Sequence, residues 1–231
     1  MFPKLAILAV LSLSVALGDV VIANNAGPLP SSAEDLSADG SLGAIVGSLY
    51  TSSDNSPYPN FESVFKIDIL NYRDFSAQTV PVSPHAVADT DLFLFDASGH
   101  GVYANDDASA TNTLSCLPSA DGANPCSSSA NGLGPKSNGI YYLAIAIGAN
   151  YPVSSGGEIF NILNSTDVVG PDLTMGGGSP INGWDDGAFA QPDFDDVNYA
   201  IVLSGTTPEP ATWLLMAAPL LALFLLRKRM A

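Results

Sequence analysis

The sequence predicts an all-β protein: a single β-sandwich or jelly-roll ectodomain with an N-terminal signal peptide and a C-terminal transmembrane helix. Three observations carry that expectation. Between the ends, Gly, Ser, Asn, Asp and Pro break nearly every window before three helical turns could form, and short apolar stretches alternate with turn signals. Hydrophobic residues fill 47% of the 231 positions, enough for a core, while charged residues fill only 13%. Finally, the bases are unevenly placed. Seven face 23 acids for a net charge of −16, and four of the seven flank apolar runs at the two termini. So acidic a chain is not built for nucleic acid, because phosphate binding needs clustered Lys and Arg.

At the N-terminus, Lys4 precedes the apolar run Leu5 to Leu17, interrupted only by Ser12 and Ser14, which is the pattern of a secretory signal peptide. That run is short against the ~20 residues that span a bilayer. Two pairs satisfy the small-x-small cleavage rule, Ala16 with Gly18 and Val21 with Ala23. The second leaves more distance from the apolar run, so the predicted signal peptide is 1–23.

Residues 24–40, rich in Ala, Ser, Pro and Asp, read as an extended lead-in. Strands follow over 41–205. Phe65, Ile67 and Ile69 alternate with Lys66 and Asp68, the period of a half-buried strand. Leu92 to Phe95 is an apolar run closed by Asp96-Ala97-Ser98-Gly99, which predicts a tight turn and a return strand over Val102 to Ala104. Ile140 to Ile147 follows Asn138-Gly139 as another strand, Glu158 to Leu163 is a weaker one, and Val197 to Leu203 closes the set. Seven to nine short strands in one domain are expected, and a sandwich or jelly roll is the common way to bury them.

At the C-terminus, residues 211–226 are uncharged and end at Arg227, Lys228 and Arg229. Sixteen residues at ~1.5 Å rise reach about 24 Å, thin for a bilayer span but sufficient when the basic end snorkels and stays cytoplasmic. Just before the span stand Pro208, Glu209 and Pro210. Pro-Glu-Pro, a short apolar span and a terminal basic cluster, in that order, resemble the PEP-CTERM sorting tail of Gram-negative bacteria; residues 206–231 form that tail. The resemblance implies a precursor held in the inner membrane. It further implies an exosortase, a membrane-embedded cysteine transpeptidase, that recognises Pro208, Glu209 and Pro210, and release to the cell surface or an extracellular polysaccharide matrix. Two prolines keep the chain extended and accessible there.

A second resemblance covers about Leu29 to Gly205. The segments LPSSAEDLSADGSLGAIVGSL, ESVFKIDI, ADTDLFLFDASGHGVYANDD and NGIYYLAIA are similar to bacterial pre-peptidase C-terminal (PPC) domains, which implies a β-sandwich. The chain departs from that pattern in two places. Glu62 to Val64 replaces the usual Asp-x-Asp approach to the first core strand, and a long insertion separates Asp107 from Asn138.

The insertion holds both cysteines, Cys116 and Cys126. In an exported chain, two cysteines ten positions apart around Pro118, Gly122 and Pro125 are expected to form one loop disulfide. Two cysteines with the distant His85 and His100 give no zinc-type spacing. Nineteen of the 23 acids are Asp. Asp89, Asp91, Asp96, Asn105, Asp106 and Asp107 fall at two adjacent strand ends, where oxygens of Asp89, Asp91, Asp106 and Asp107 in particular could converge on Ca2+, a cation that takes six to eight oxygen ligands. Asp185, Asp186, Asp193, Asp195 and Asp196 form a second group before the last strand. The competing explanation is that Asp favours turns by bonding its own backbone and keeps an exported surface soluble.

No catalytic constellation stands out, and the chain is expected not to be an enzyme. Asp89-Thr90-Asp91 lacks the glycine and second copy of an aspartic protease, Ser98 and His100 diverge along a turn, and Gly176 to Gly178 lacks the Lys of a phosphate loop. Tyr50, Tyr58, Tyr103, Tyr151 and Trp184 fall in or near loops, where rings either stack on sugars or pack the fold. The expected function is that of an exported, non-enzymatic structural or adhesive protein; the alternative is a calcium-dependent carbohydrate-binding module.

Overall fold

The computed structural model describes residues 18–23, 26–38, 40–49, 61–82, 89–121, 126–185 and 197–207, within a compact unit running Gly18–Pro208. Most of the predicted signal peptide, the sorting motif Pro208 to Pro210, the span 211–226 and the basic cluster 227–229 lie outside the described residues. In chain order the strands are β1 Asp19–Ile22, β2 Glu34–Asp35, β3 Leu42–Leu49, β4 Glu62–Ile69, β5 Ser76–Pro81, β6 Thr90–Asp96 and β7 Gly101–Asn105. They continue as β8 Cys116–Leu117, β9 Gly139–Ile147, β10 Pro152–Ser154, β11 Gly157–Glu158, β12 Val168–Val169, β13 Gly183–Trp184 and β14 Val197–Ser204. Among the described residues helical structure is limited to two three-residue 3-10 turns, Pro30–Ser32 and Gly176–Gly178, so none of these residues forms a helix long and apolar enough to cross a membrane.

The protein is all-β, and two main sheets share one core. The first runs β1-β3-β14-β5-β8 and the second β12-β7-β6-β9-β4-β2, antiparallel except at β1–β3 and β2–β4. Between them lie Ile45 and Leu49 of β3 and Tyr199, Ile201 and Leu203 of β14, against Phe65, Ile67 and Ile69 of β4, Leu92 and Leu94 of β6 and Leu143 and Ile145 of β9. The alternation read at Phe65, Ile67 and Ile69 is thus the inward face of β4.

The apolar run of β6 has a different cause. Phe93 and Phe95 point away from the shared core into a second cluster with Ala104, Ala144, Ile159, Phe160 and Ile181. The segment 150–185, with its small sheet β11-β10-β13, covers this outer face, so β6 is buried on both sides and cannot alternate with polar residues. Phe93 pairs across the sheet with Ala104 on one side and Ala144 on the other, small residues that leave room for the ring.

Several expectations need correction. Of the predicted strand Glu158 to Leu163 only Glu158 lies in a strand; Ile159 and Phe160 are buried in the outer cluster, Phe160 with an isolated antiparallel bridge to Pro171. The lead-in 24–40 is not simply extended: Pro30 starts a 3-10 turn whose Ser32 N–H donates to Leu29 O at 2.9 Å, and Glu34–Asp35 then adds a parallel edge to β4. Ser76–Pro81 forms a strand that no apolar pattern announced, since Ser76, Gln78 and Thr79 interrupt it. Within the long insertion, Cys116 and Cys126 are disulfide-bonded with Cα atoms 5.6 Å apart, and Cys116 sits in β8 on the edge of the first sheet.

Candidate metal centre

The site forms where β6 begins and β7 ends. In an antiparallel hairpin those two points are neighbours, so Asp89 and Asp91 meet Asp106 and Asp107 by topology alone. One carboxylate oxygen from each of Asp89, Asp106 and Asp107 lies within 4.8 Å of the others. Asp91 shares the parity of Phe93 and Phe95, which turns it to the outer face, where it is completely buried. Thr90 points the opposite way, into a buried network with Thr79 Oγ1 at 3.0 Å and Ser115 Oγ at 3.1 Å.

Two of the expected members do not belong. Asp96 lies at the other end of the hairpin, where its Oδ1 accepts the N–H groups of Ser98 (2.8 Å) and His100 (3.0 Å) across the turn closed by Gly99, whose φ is +84°. Asn105 is buried but fully engaged: its Nδ2 donates to the carbonyls of Asp107 and Asp167, and its Oδ1 accepts the Cys116 N–H at 2.8 Å. It clamps the insertion to the sheet.

The remaining carboxylates are poorly satisfied. Asp91 Oδ2 accepts the Ala149 N–H at 3.1 Å, but Oδ1 has no hydrogen-bond partner, and neither has Asp89 Oδ1. A buried carboxylate with a bare oxygen is costly, so it either takes up a proton or meets a cation. Burial, then the charge of Asp106 and a hydrogen bond shared with it, raise Asp91 well above the usual carboxylate range. Burial likewise raises Asp106 to about 6, and burial and Asp107 raise Asp89. Tyr151, next along the surface, is also pushed up by burial and by Asp91, Asp106, Asp185 and Asp89, so its hydroxyl stays neutral.

The corner between β9 and β10 completes the site, and periodicity gave no sign of it. A Cβ on Gly148 would stand 2.5 Å from Asp89 Cγ, so only glycine leaves the Asp89 carboxylate its place. Ala149 adopts a left-handed φ of +63°, a conformation that costs a non-glycine residue of order 1–3 kcal/mol, and its N–H serves Asp91 from there. Asn150 is buried, donates from Nδ2 to Glu62 Oε2 at 2.9 Å, and leaves its own Oδ1 without a partner. Tyr151 N–H donates to Asp185 Oδ1 at 2.9 Å, which ties one member of the second acidic group to this corner; Asp186, Asp193, Asp195 and Asp196 lie outside the described residues.

No protein-family model matches the chain, and no curated protein matches it either. Chemistry must therefore speak for the site. Its donors are hard oxygens with several negative charges and no imidazole or thiolate, a set that suits calcium rather than zinc or copper. Asp89, Asp106 and Asp107 would hold the ion, with Asp91 behind them.

The other candidates are arranged for packing. Tyr103 is fully buried, with its hydroxyl donating to Pro118 O, and Trp184 stands edge-on to Phe93 at 5.6 Å with its Nε1 donating to Pro28 O at 2.7 Å. Ser98 is exposed in the hairpin turn, and His100 Nδ1 lies 3.8 Å from Asp96. Tyr50, Tyr58 and His85 lie outside the described residues.

Proposed function

We propose that the protein is an exported, non-enzymatic surface or matrix component, a PPC-like β-sandwich whose fold is held by calcium at Asp89, Asp91, Asp106 and Asp107. The observation that carries the calcium site is the convergence of one carboxylate oxygen each from Asp89, Asp106 and Asp107 within 4.8 Å of one another, with Asp89 Oδ1 buried and without a partner and Asp91 completely buried behind them. A bound cation would supply the opposite charge that lets these groups ionise together. The protein's own residues do the positioning: Ala149 N–H orients Asp91, Gly148 makes room for Asp89, and the hairpin register sets Asp106 and Asp107 opposite. The role is structural, because the site ties the open end of one hairpin to the β9–β10 corner.

Export and sorting rest on the sequence. Pro208, Glu209 and Pro210, the span 211–226 and Arg227, Lys228 and Arg229 support recognition by an exosortase after insertion in the inner membrane of a Gram-negative bacterium. Residues 24–210 then carry three bases and 22 acids, a net −19, which keeps such a surface soluble and makes a cation the natural bridge to any anionic polysaccharide. The alternative, a calcium-dependent carbohydrate-binding module, needs exposed rings, and Tyr103 and Trp184 are engaged elsewhere.

The test is calorimetric titration of the purified chain with calcium chloride, beside melting curves in calcium and in chelator. Saturable binding with a higher Tm is expected. No heat and no shift would sink the calcium site. Retention on the host's polysaccharide through exposed aromatics would favour the alternative, and normal processing in a strain without exosortase would end the sorting reading.

A further inference from the structure

The structure bears on where the signal peptide ends. We infer that signal peptidase cuts between Gly18 and Asp19, so that the exported chain begins with strand β1; this rests on the export reading above. Asp19–Ile22 lies parallel to β3, with Val20 opposite Ala44, Val21 opposite Ile45 and Ile22 opposite Val46. The strand is hydrogen-bonded beyond its ends, from Asp19 N–H to Ser41 O and from Ala23 N–H to Val46 O at 2.7 Å. Val21 and Ala23 pack on the shared core between the two main sheets. A cut after Ala23 would remove all of this. It would leave the backbone edge of β3 unpaired over half its length, an open template for association with other chains.

The described residues just downstream, 26–33, are already placed elsewhere. Gly27 O already accepts the Val64 N–H at 3.0 Å on the second sheet, and Leu29 and Ala33 pack on that sheet's outer face. Only residues 24 to 26 remain between Ala23 on one sheet and Gly27 on the other.

The leader suits the earlier cut. Leu5 to Leu11 is seven uninterrupted apolar residues, long enough for the apolar region of a signal peptide. Ser12 then opens a more mixed stretch ending in Ala16-Leu17-Gly18, with small residues at the positions three and one before the cut. The step is hydrolysis: water adds to the Gly18 carbonyl, the Gly18–Asp19 peptide bond breaks, and the products are a carboxylate on Gly18 and an amine on Asp19. That new amine protonates and still donates to Ser41 O.

The full chain is expressed in a Gram-negative host, and the N-terminus of the exported protein is read by Edman degradation and intact mass. Asp19 is expected as first residue. Gly18→Leu is expected to slow processing at least tenfold, whereas Ala23→Leu leaves processing at the wild-type rate, and Val21→Asp lowers the Tm of the processed protein. A chain beginning at Asn24, or at any other residue within the exported part, overturns the inference while leaving export intact. An uncut chain beginning at Met1 overturns the signal-peptide reading and this inference with it.

Discussion

At the tip of the β6–β7 hairpin, Asp96 accepts two backbone N–H groups and stays half in solvent; at the open end of the same hairpin, Asp91 is completely buried with one oxygen unpartnered. The residue type is the same, and the strands are the same. What differs is the company. At the tip the chain reverses on itself and offers its own N–H groups, so the acid is a turn former. At the open end the hairpin meets the β9–β10 corner, where Asp91 and Asp106 are buried, Asp89 and Asp107 half-buried, and one N–H, that of Ala149, serves Asp91. Asp35 and Asp172 follow the tip: Asp35, held down to about 2 by Lys66 and Ser37, and Asp172, lowered by Thr174, serve local turns and an exposed ion pair. An abundance of Asp therefore says little, and burial without partners is what separates a ligand set from a turn set.

The largest test of that contrast is calcium itself. With free calcium about 100-fold above Kd, binding to the folded state adds roughly 2.7 kcal/mol, or about 5–10 °C in Tm for a domain of this size. Asp91→Asn should remove this increment, read by scanning calorimetry in calcium and in chelator, while Asp96→Ala should leave it whole.

Next comes Thr90→Val. Thr90 stands between the two orphan acids but faces the other way, with all its polar atoms satisfied. Its loss removes two hydroxyl–hydroxyl hydrogen bonds from the network, while Thr79 and Ser115 stay bonded to each other, and should cost about 1–2 kcal/mol with or without calcium. A loss that appeared only in calcium would mean that Thr90 belongs to the site.

In chelator the acids at the open end should be a burden. Asp91→Asn is then expected to raise Tm by roughly 2–5 °C at pH 7.5, the usual range for relieving one unfavourable site. The pH dependence has the same origin. An acid with a raised folded-state pKa keeps a proton that the unfolded chain has already released, so stability is present at low pH and falls as pH climbs from the ordinary 3.8 through about 6 for Asp106. The metal-free Tm should thus drop between pH 4.5 and 7.5, and calcium should abolish the drop. A flat profile in chelator would mean the cluster is solvated after all.

The smallest effect is expected at the tip. Asp96→Ala removes two exposed hydrogen bonds and should lower Tm by about 2–4 °C at any calcium concentration. A larger loss confined to calcium would erase the distinction between the ends.

The hairpin and its turn were legible because their signals are local: Leu92 to Phe95, then Asp96 to Gly99, then Val102 to Ala104. The same holds for the alternation in β4 and the run in β9. Residues 76–81 carry no such signal, since that strand is held by pairing with Tyr199 to Ser204, far away in sequence. Asp89, Asp91, Asp106 and Asp107 could be grouped from hairpin logic, but Gly148, Ala149 and Asn150 could not. Nothing in their residue types announces that a corner after β9 will close over β6.

By itself the sequence determined the all-β class, the acidic character, the cysteine pair and the four aspartates that the hairpin brings together, because each depends on composition or on contacts between near neighbours in the chain. Only the tertiary structure decided which aspartates are turn formers and which are left bare, that Asn105 is a clamp, and that residues 19–23 belong to a sheet. Those outcomes depend on burial, and burial is a property of surfaces that meet only when distant segments pack.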